Sequence, residues 1–183
     1  MTANDMSQST TRTLRIVGWS LAAALLALPA VAMQFTTGVN WTGRDFIFAG
    51  VVFAFVGGLF ELAAHASNNI AYRAAVVVAV ACAFLQLWIT LAVGIIGSEN
   101  NDANWTYIAM VLIAISASAV AQGRARLMAR AMLVVLLAQA LFSAIHLIDG
   151  HFTLVIDAFF GALWFLSSRL FARAGEEIST LSQ

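Results

Sequence analysis

Six long apolar runs separated by short polar connections fill most of the chain. They extend from Ile16 to about Phe35, Phe46 to Ala66, Ala74 to Ile96, Trp105 to Ala121, Leu127 to Ile148 and Phe152 to Phe171. Each is continuous rather than alternating, and each is close to the roughly 20 residues that carry a helix across a bilayer. Backbone amides in hydrocarbon must be paired within the chain, which leaves helices or a closed barrel, and unbroken runs favour helices. The pattern predicts an all-α fold, a bundle of six transmembrane helices over residues 12–172. Polar stretches at either end predict a disordered cytoplasmic tail over 1–11 and a second cytoplasmic tail over 173–183.

Within the runs, small and polar positions recur about one turn apart. Gly50, Ala54 and Gly58 form a stripe on the second run, and such stripes let backbones approach closely in lipid. Glu61 and His65 continue that face. Cys82, Gln86, Thr90, Gly94 and Gly97 mark the third run, Gln139, Ser143 and His146 the fifth, and Asp157, Gly161, Trp164 and Ser168 the sixth. Asp157 costs about 3 kcal/mol to insert, while the Leu, Ile, Val and Phe residues of its run return about 4. That helix should still insert, with Asp157 turned inward.

Composition agrees with a lipid environment. The chain is 62% hydrophobic and 10% charged, against about 25% charged in soluble domains. All nine basic residues are arginine and the formal charge is zero, so no polybasic patch points to nucleic acid. Cys82, the single cysteine, has no intrachain disulfide partner. The first run fits two readings. One is a cleaved signal peptide ending near Pro29-Ala30-Val31-Ala32; the other, adopted here, is a retained helix. With six helices, Arg12, Arg15, Arg73, Arg124, Arg126, Arg130, Arg169 and Arg173 fall on one side and Arg44 alone on the other. The positive-inside rule then makes both termini cytoplasmic. An all-arginine, alanine-rich chain of this kind reads as a bacterial inner-membrane protein.

The most polar connection lies between the third and fourth runs, inside the stretch Trp88 to Tyr107. Glu99, Asn101 and Asn104 either fix the helical hairpin, Asn104 as a cap for the fourth helix, or face outward to a ligand or partner. Here the sequence resembles a family of bacterial multi-pass inner-membrane proteins with no assigned activity. The shared core is Trp88, Ala92-Val93-Gly94-Ile95-Ile96-Gly97-Ser98-Glu99, Asn101 and Asn104. Thr90 and Asp102 stand where that family often has Asn and Pro. The resemblance implies a polytopic membrane protein and supplies no chemistry. A short echo, Asn40-Trp41-Thr42 and Asn104-Trp105-Thr106, precedes the second and fourth helices.

Three groups of residues carry candidate chemistry. Glu61 and His65 are a turn apart and suit a proton or ion relay, or a packing pair, since intramembrane ionisable groups face a bundle interior. His146, Asp149 and His151 are the best metal-ligand cluster, although Asp-Gly-His is also ordinary turn chemistry and matches no closed zinc spacing. Gln86, Gln139 and Asp157 suit hydrogen bonds between helices or a solute path; Asp157 should bond across the hairpin of the last two helices. His65 and His146 lie near opposite membrane surfaces, roughly 20 Å or more apart at 1.5 Å per residue, too far to share a haem. No cofactor is specified by these patterns. No nucleophile motif, phosphate-binding loop or dinucleotide fingerprint is present. The expectation is a non-enzymatic accessory, assembly or sensory membrane protein in the lipid bilayer, with a membrane-protein partner or a homo-oligomeric state. The alternatives are a small proton- or ion-coupled transporter or channel, and a membrane metalloprotein.

Overall fold

A computed structural model of the chain describes residues 3–36, 40–98 and 100–181, without the side chains of 3–14, 63–66, 178 and 181. All regular structure among the described residues is helical: α1 (Ala3–Ala32), α2 (Gly43–Ala66), α3 (Ile70–Ala92), α4 (Trp105–Ala121), α5 (Ala125–Ile148) and α6 (Leu154–Leu181). One turn of 3-10 helix, Asp102–Asn104, leads into α4. Among the described residues six helices are long and apolar enough to cross a membrane, as in a multi-pass membrane protein.

The chain divides into two compact units, Met1–Leu59 and Phe60–Gln183. In the first, α2 begins where Asp45 reaches back to the preceding turn. Its Oδ2 accepts from the backbone N–H of Thr42 at 2.6 Å and from the Thr42 hydroxyl at 2.8 Å. This satisfies an amide that would otherwise have no partner at the helix start. Further along, α1 and α2 meet at Trp19 and Gly57. A Cβ at Gly57 would stand 2.5 Å from the indole of Trp19, so only glycine leaves room for the ring. Ala49, two turns before Gly57, is buried on α2. Of the expected stripe only Gly50 faces α1, a Cβ there lying 3.8 Å from Leu26; Ala54 is exposed and Gly58 has open space beside it.

In the second unit α3, α4, α5 and α6 form a closed ring, each packing on the two beside it, with α5 against α6 the most extensive pairing. Short connections make consecutive helices antiparallel. Trp164, Phe160, Phe171, Met110, Met132 and Val135 fill the centre. The outer surface is as apolar as the inside: Val120 is 80% exposed and Val155 76%. A helix apolar on every side belongs in lipid, where interior polar groups hold the bundle together. Two serines do so between helices, Ser167 donating to the Ala75 carbonyl and Ser168 to the Ala129 carbonyl, each at 2.9 Å.

Several expected boundaries move. Residues 3–11, expected to be a disordered tail, belong to α1, and the expected tail after 172 is helical to Leu181. α3 begins at Ile70 and stops at Ala92, four residues before the predicted end. Gly94, expected inside that helix, and Gly97, just past its expected end, lie in the following loop with φ of 74° and 65°. Those left-handed values are cheap only for glycine.

Candidate functional site

Nine polar side chains are buried among the described residues, and five of them lie in one connected network at the junction of α3, α4, α5 and α6. Its centre is Asp157, in the first turn of α6. Oδ1 accepts from the Tyr107 hydroxyl of α4 and from Gln139 Nε2 of α5, each at 2.9 Å. Oδ2 lies 2.6 Å from the hydroxyl of Thr153, four residues earlier, and 3.9 Å from His146 Nδ1 in the last turn of α5. Gln139 continues the chain, since its Oε1 accepts from Gln86 Nε2 of α3 at 2.9 Å. Gln86 Oε1 is buried without a hydrogen-bond partner.

The α5–α6 turn brings the acid and the imidazole together. Asp149 closes α5, Gly150 takes φ of 82°, and the His151 N–H bonds the His146 carbonyl at 2.7 Å. His146 is thereby held at the C-terminal end of one helix and Asp157 at the N-terminal end of the next. Helix dipoles favour a cation at the first place and an anion at the second. Tyr107 covers the other side of the imidazole, with ring centroids 5.4 Å apart.

Counting donors gives the proton inventory of this site. The Thr106 hydroxyl donates to the Ala103 carbonyl at 2.7 Å, so toward His146 Nε2, at 2.9 Å, it can only accept. Nε2 therefore carries a hydrogen. On the other side of the ring, Thr153 Oγ1 lies 3.5 Å from Nδ1 and 2.6 Å from Asp157 Oδ2, with one hydroxyl proton for both. One further proton completes the chain in either of two arrangements. Nδ1–H donates to Oγ1 while Oγ1–H donates to a carboxylate, or Oδ2–H donates to Oγ1 while Oγ1–H donates to a neutral imidazole. The two interconvert by passing protons through Thr153 once its Oγ1 and His146 Nδ1, 3.5 Å apart, close to a normal hydrogen-bond distance. Removing the extra proton leaves Thr153 able to satisfy only one neighbour.

The predicted site residues are distributed as follows. Gln86, Gln139, His146 and Asp157 join this network. Asp157 does bond across the α5–α6 hairpin, through Gln139, and reaches α4 as well. Asp149 is exposed and His151 half-buried; among the described residues no three His, Cys, Asp or Glu side chains group to hold a metal. Glu61 is half-buried on α2, and the side chain of His65 lies outside the described residues. Tyr107, Thr153 and Thr106 were not singled out by sequence. Thr153 had a legible signal, four residues before an intramembrane acid in a helical pattern; the two residues of α4 had none.

The loop after α3 is built on Asn104. Its Oδ1 accepts from the N–H groups of Ile95 and Ile96 at 2.9 and 2.8 Å, and its Nδ2 donates to the carbonyls of Ile96 and Ser98 at 3.1 and 2.8 Å. The side chain thus fixes the α3–α4 hairpin, one of the two expected roles, but through the loop and not as a cap, since it makes no cap bond to α4. Asn101 caps the short 3-10 turn, accepting from the Ala103 N–H at 3.0 Å. Gly97 is the close neighbour: a Cβ there would lie 3.3 Å from Asn101 Nδ2. Trp88 stacks on Phe84 one turn earlier, centroids 5.7 Å apart. Glu99 lies outside the described residues. No family model, no curated protein and no solved structure matches the chain.

Proposed function

We propose that this is a non-enzymatic, proton-responsive membrane protein in which Asp157, Thr153 and His146 take up and release one proton. The observation that carries this reading is the placement of the Thr153 hydroxyl, with its single hydrogen, between a carboxylate oxygen and an imidazole nitrogen. Buried acid–imidazole pairs in membrane bundles are costly, and proton relays are their usual use. Loss of the proton changes the demand on Thr153. Gln139 and Gln86 connect the same carboxylate to α3, which offers a route for a change in helix packing.

The arginine distribution supports a setting in the inner membrane of a bacterium, both termini cytoplasmic, with the Asp157 site toward the outer surface. An accessory or sensory component reading the external proton concentration fits that placement. The likeness of the Trp88–Asn104 core to bacterial inner-membrane proteins agrees with it. Proton-coupled transport is the second reading, favoured by Gln86 Oε1, a buried acceptor without a bond at the inner end of the chain.

Infrared difference spectra of the protein in liposomes, between acid and alkaline buffer, test the proposal. A protonated-carboxyl band that disappears in Asp157→Asn is expected. Spectra in which that variant removes nothing would exclude Asp157 as the exchanging group. A pH-sensitive dye trapped in the same liposomes distinguishes transport, which moves protons across, from sensing, which does not.

A further inference from the structure

At the opposite end of the four-helix unit, where α4 turns into α5, a cavity of about 640 Å³ opens beside Arg124, Arg126 and Arg130. All three arginines are exposed, and no ion pair joins any of them to a carboxylate among the described residues. Glu177 of α6 is committed elsewhere: it accepts from Asn69 Nδ2 at 2.8 Å and from Arg173 Nε at 2.9 Å. The fold holds the turn and the stem of one arginine in place. The Tyr72 hydroxyl bonds the Gly123 carbonyl at 2.9 Å, fixing the turn, and Gly175 of α6 lets the stem of Arg126 pack directly on its backbone.

A second, apolar groove of about 550 Å³ adjoins this cavity and shares Leu127 and Arg130 with it. It runs between α4 and α5, lined by Ile113, Ala117, Val120 and Val134. From Ala121 back to Leu112 the groove covers about 13 Å of helix at 1.5 Å per residue. Arg124 stands between the apolar segments Asp102–Ala121 and Ala125–Ile148, and Arg126 and Arg130 fall in the first turns of the second; a bilayer crossed by these segments would bring its phosphates to this end. The groove descends from there into the hydrocarbon.

We infer that this face binds one anionic phospholipid, its headgroup phosphate held by Arg124, Arg126 and Arg130 and one acyl chain laid in the α4–α5 groove. Arginine matches phosphate through forked, charge-assisted hydrogen bonds. Basic pockets at the cytoplasmic ends of transmembrane helices recognise anionic headgroups in this way. A soluble phosphate would use the arginines but not the groove, and a zwitterionic lipid would use the groove but gain less from the arginines. The site is independent of the Asp157 network.

The test titrates the detergent-purified chain with phosphatidylglycerol, phosphatidylcholine and inorganic phosphate, reading binding by native mass spectrometry. One phosphatidylglycerol should bind in preference to phosphatidylcholine. Replacing all three arginines by glutamine should weaken it roughly hundredfold, about fivefold for each charge near the surface. The triple lysine variant should keep the preference for the anionic lipid. Ala117→Phe, which fills the groove and leaves the charges, should weaken phosphatidylglycerol binding while helicity is unchanged. Equal retention of the two lipids, or a triple glutamine variant that binds as wild type does, overturns the inference. Inorganic phosphate that binds as tightly as the lipid overturns it too, by assigning the arginines to a soluble anion.

Discussion

Gln139 joins Asp157 to α3: its Nε2 donates to the carboxylate at 2.9 Å and its Oε1 accepts from Gln86 at 2.9 Å. An amide suits this position because it donates at one end and accepts at the other, and neither a carboxylate nor an amine could do both. Gln139→Leu leaves a donor of Gln86 and a lone pair of Asp157 unsatisfied. Hydrogen bonds between membrane helices average about 0.6 kcal/mol, and orphaned buried groups cost about 1–3 kcal/mol. The variant should lose about 1–3 kcal/mol, measured by reversible unfolding in mixed micelles. Gln139→Glu should be at least as damaging, since it sets a second acid against Asp157. Wild-type stability in both variants would mean that the network does not hold α3 to α5.

Asp157→Asn and Asp157→Ala should part company. Asparagine can still accept from Tyr107 and Gln139 through its oxygen. Its amide can donate to Thr153, which then turns its own hydrogen to His146 Nδ1, reproducing the arrangement with the proton on the acid. Near wild-type thermal stability with loss of proton release is expected. Alanine strands the donors of Tyr107 and Gln139, while Thr153 can still turn to His146 Nδ1, and should cost about 2 kcal/mol or more. Melting temperatures of the two variants, side by side, decide it; equal values would remove the donor count as the basis of the site.

His146 Nε2 should carry a hydrogen at every pH at which the protein is folded, because Thr106 spends its hydroxyl proton on the Ala103 carbonyl. Nitrogen-15 chemical shifts of labelled histidine report this directly. A pyridine-like Nε2 shift for His146 in any folded state would break the proton inventory. Thr106→Val, which removes the acceptor, should release that restriction and let both neutral tautomers appear.

How far the sequence led depends on which interaction is considered. Asp157, Gln139 and Gln86 were legible because polar groups inside long apolar runs are expensive and must find one another. Their partner Tyr107 was not: nothing in spacing distinguishes a tyrosine that points its hydroxyl into a bundle from one at the membrane surface. The end of α3 was misplaced because Gly94 and Gly97 sit among apolar residues and look like packing glycines, whereas their positive φ values turn the chain. Asn104 is legible as a residue that fixes the α3–α4 hairpin through backbone groups, but not which ones: its place before α4 suggests a cap, and its side chain bonds Ile95, Ile96 and Ser98 instead. On α2 the expected stripe holds at Gly50, against Leu26, but farther along the contact passes to Gly57 in place of Gly58, and one residue rotates a helix face by about 100°.

The loop makes its own prediction. Asn104→Asp keeps the oxygen that receives Ile95 and Ile96 but loses both donations, to the carbonyls of Ile96 and Ser98, and sets a negative charge against them. Asn104→Ala loses all four bonds but brings no repulsion. Each should cost about 2–4 kcal/mol, summing bonds of about 1 kcal/mol and the groups left bare. Backbone amide exchange at Ile95 and Ile96 should quicken in the alanine variant and stay slow in the aspartate variant. The reverse order would show that Asn104 does not hold these amides.

The contact between α1 and α2 can be tested by compensation. A Cβ at Gly57 would lie 2.5 and 2.7 Å from two atoms of the Trp19 ring, inside any real contact distance. Gly57→Ala therefore forces the indole to move, although alanine by itself should favour the helix by about 1 kcal/mol. Overpacking of a close contact costs about 1–3 kcal/mol, so the net change should be destabilising or near zero rather than the gain expected at an open site. Gly58→Ala is the control, since nothing lies within 4 Å of a Cβ there, and it should stabilise. Trp19→Leu shortens the side chain and should restore the helix gain to Gly57→Ala, giving a favourable coupling energy in a double-mutant cycle. If Gly57→Ala and Gly58→Ala stabilise equally, and Trp19→Leu changes neither, then the indole does not pack against Gly57 and the two helices meet on another face.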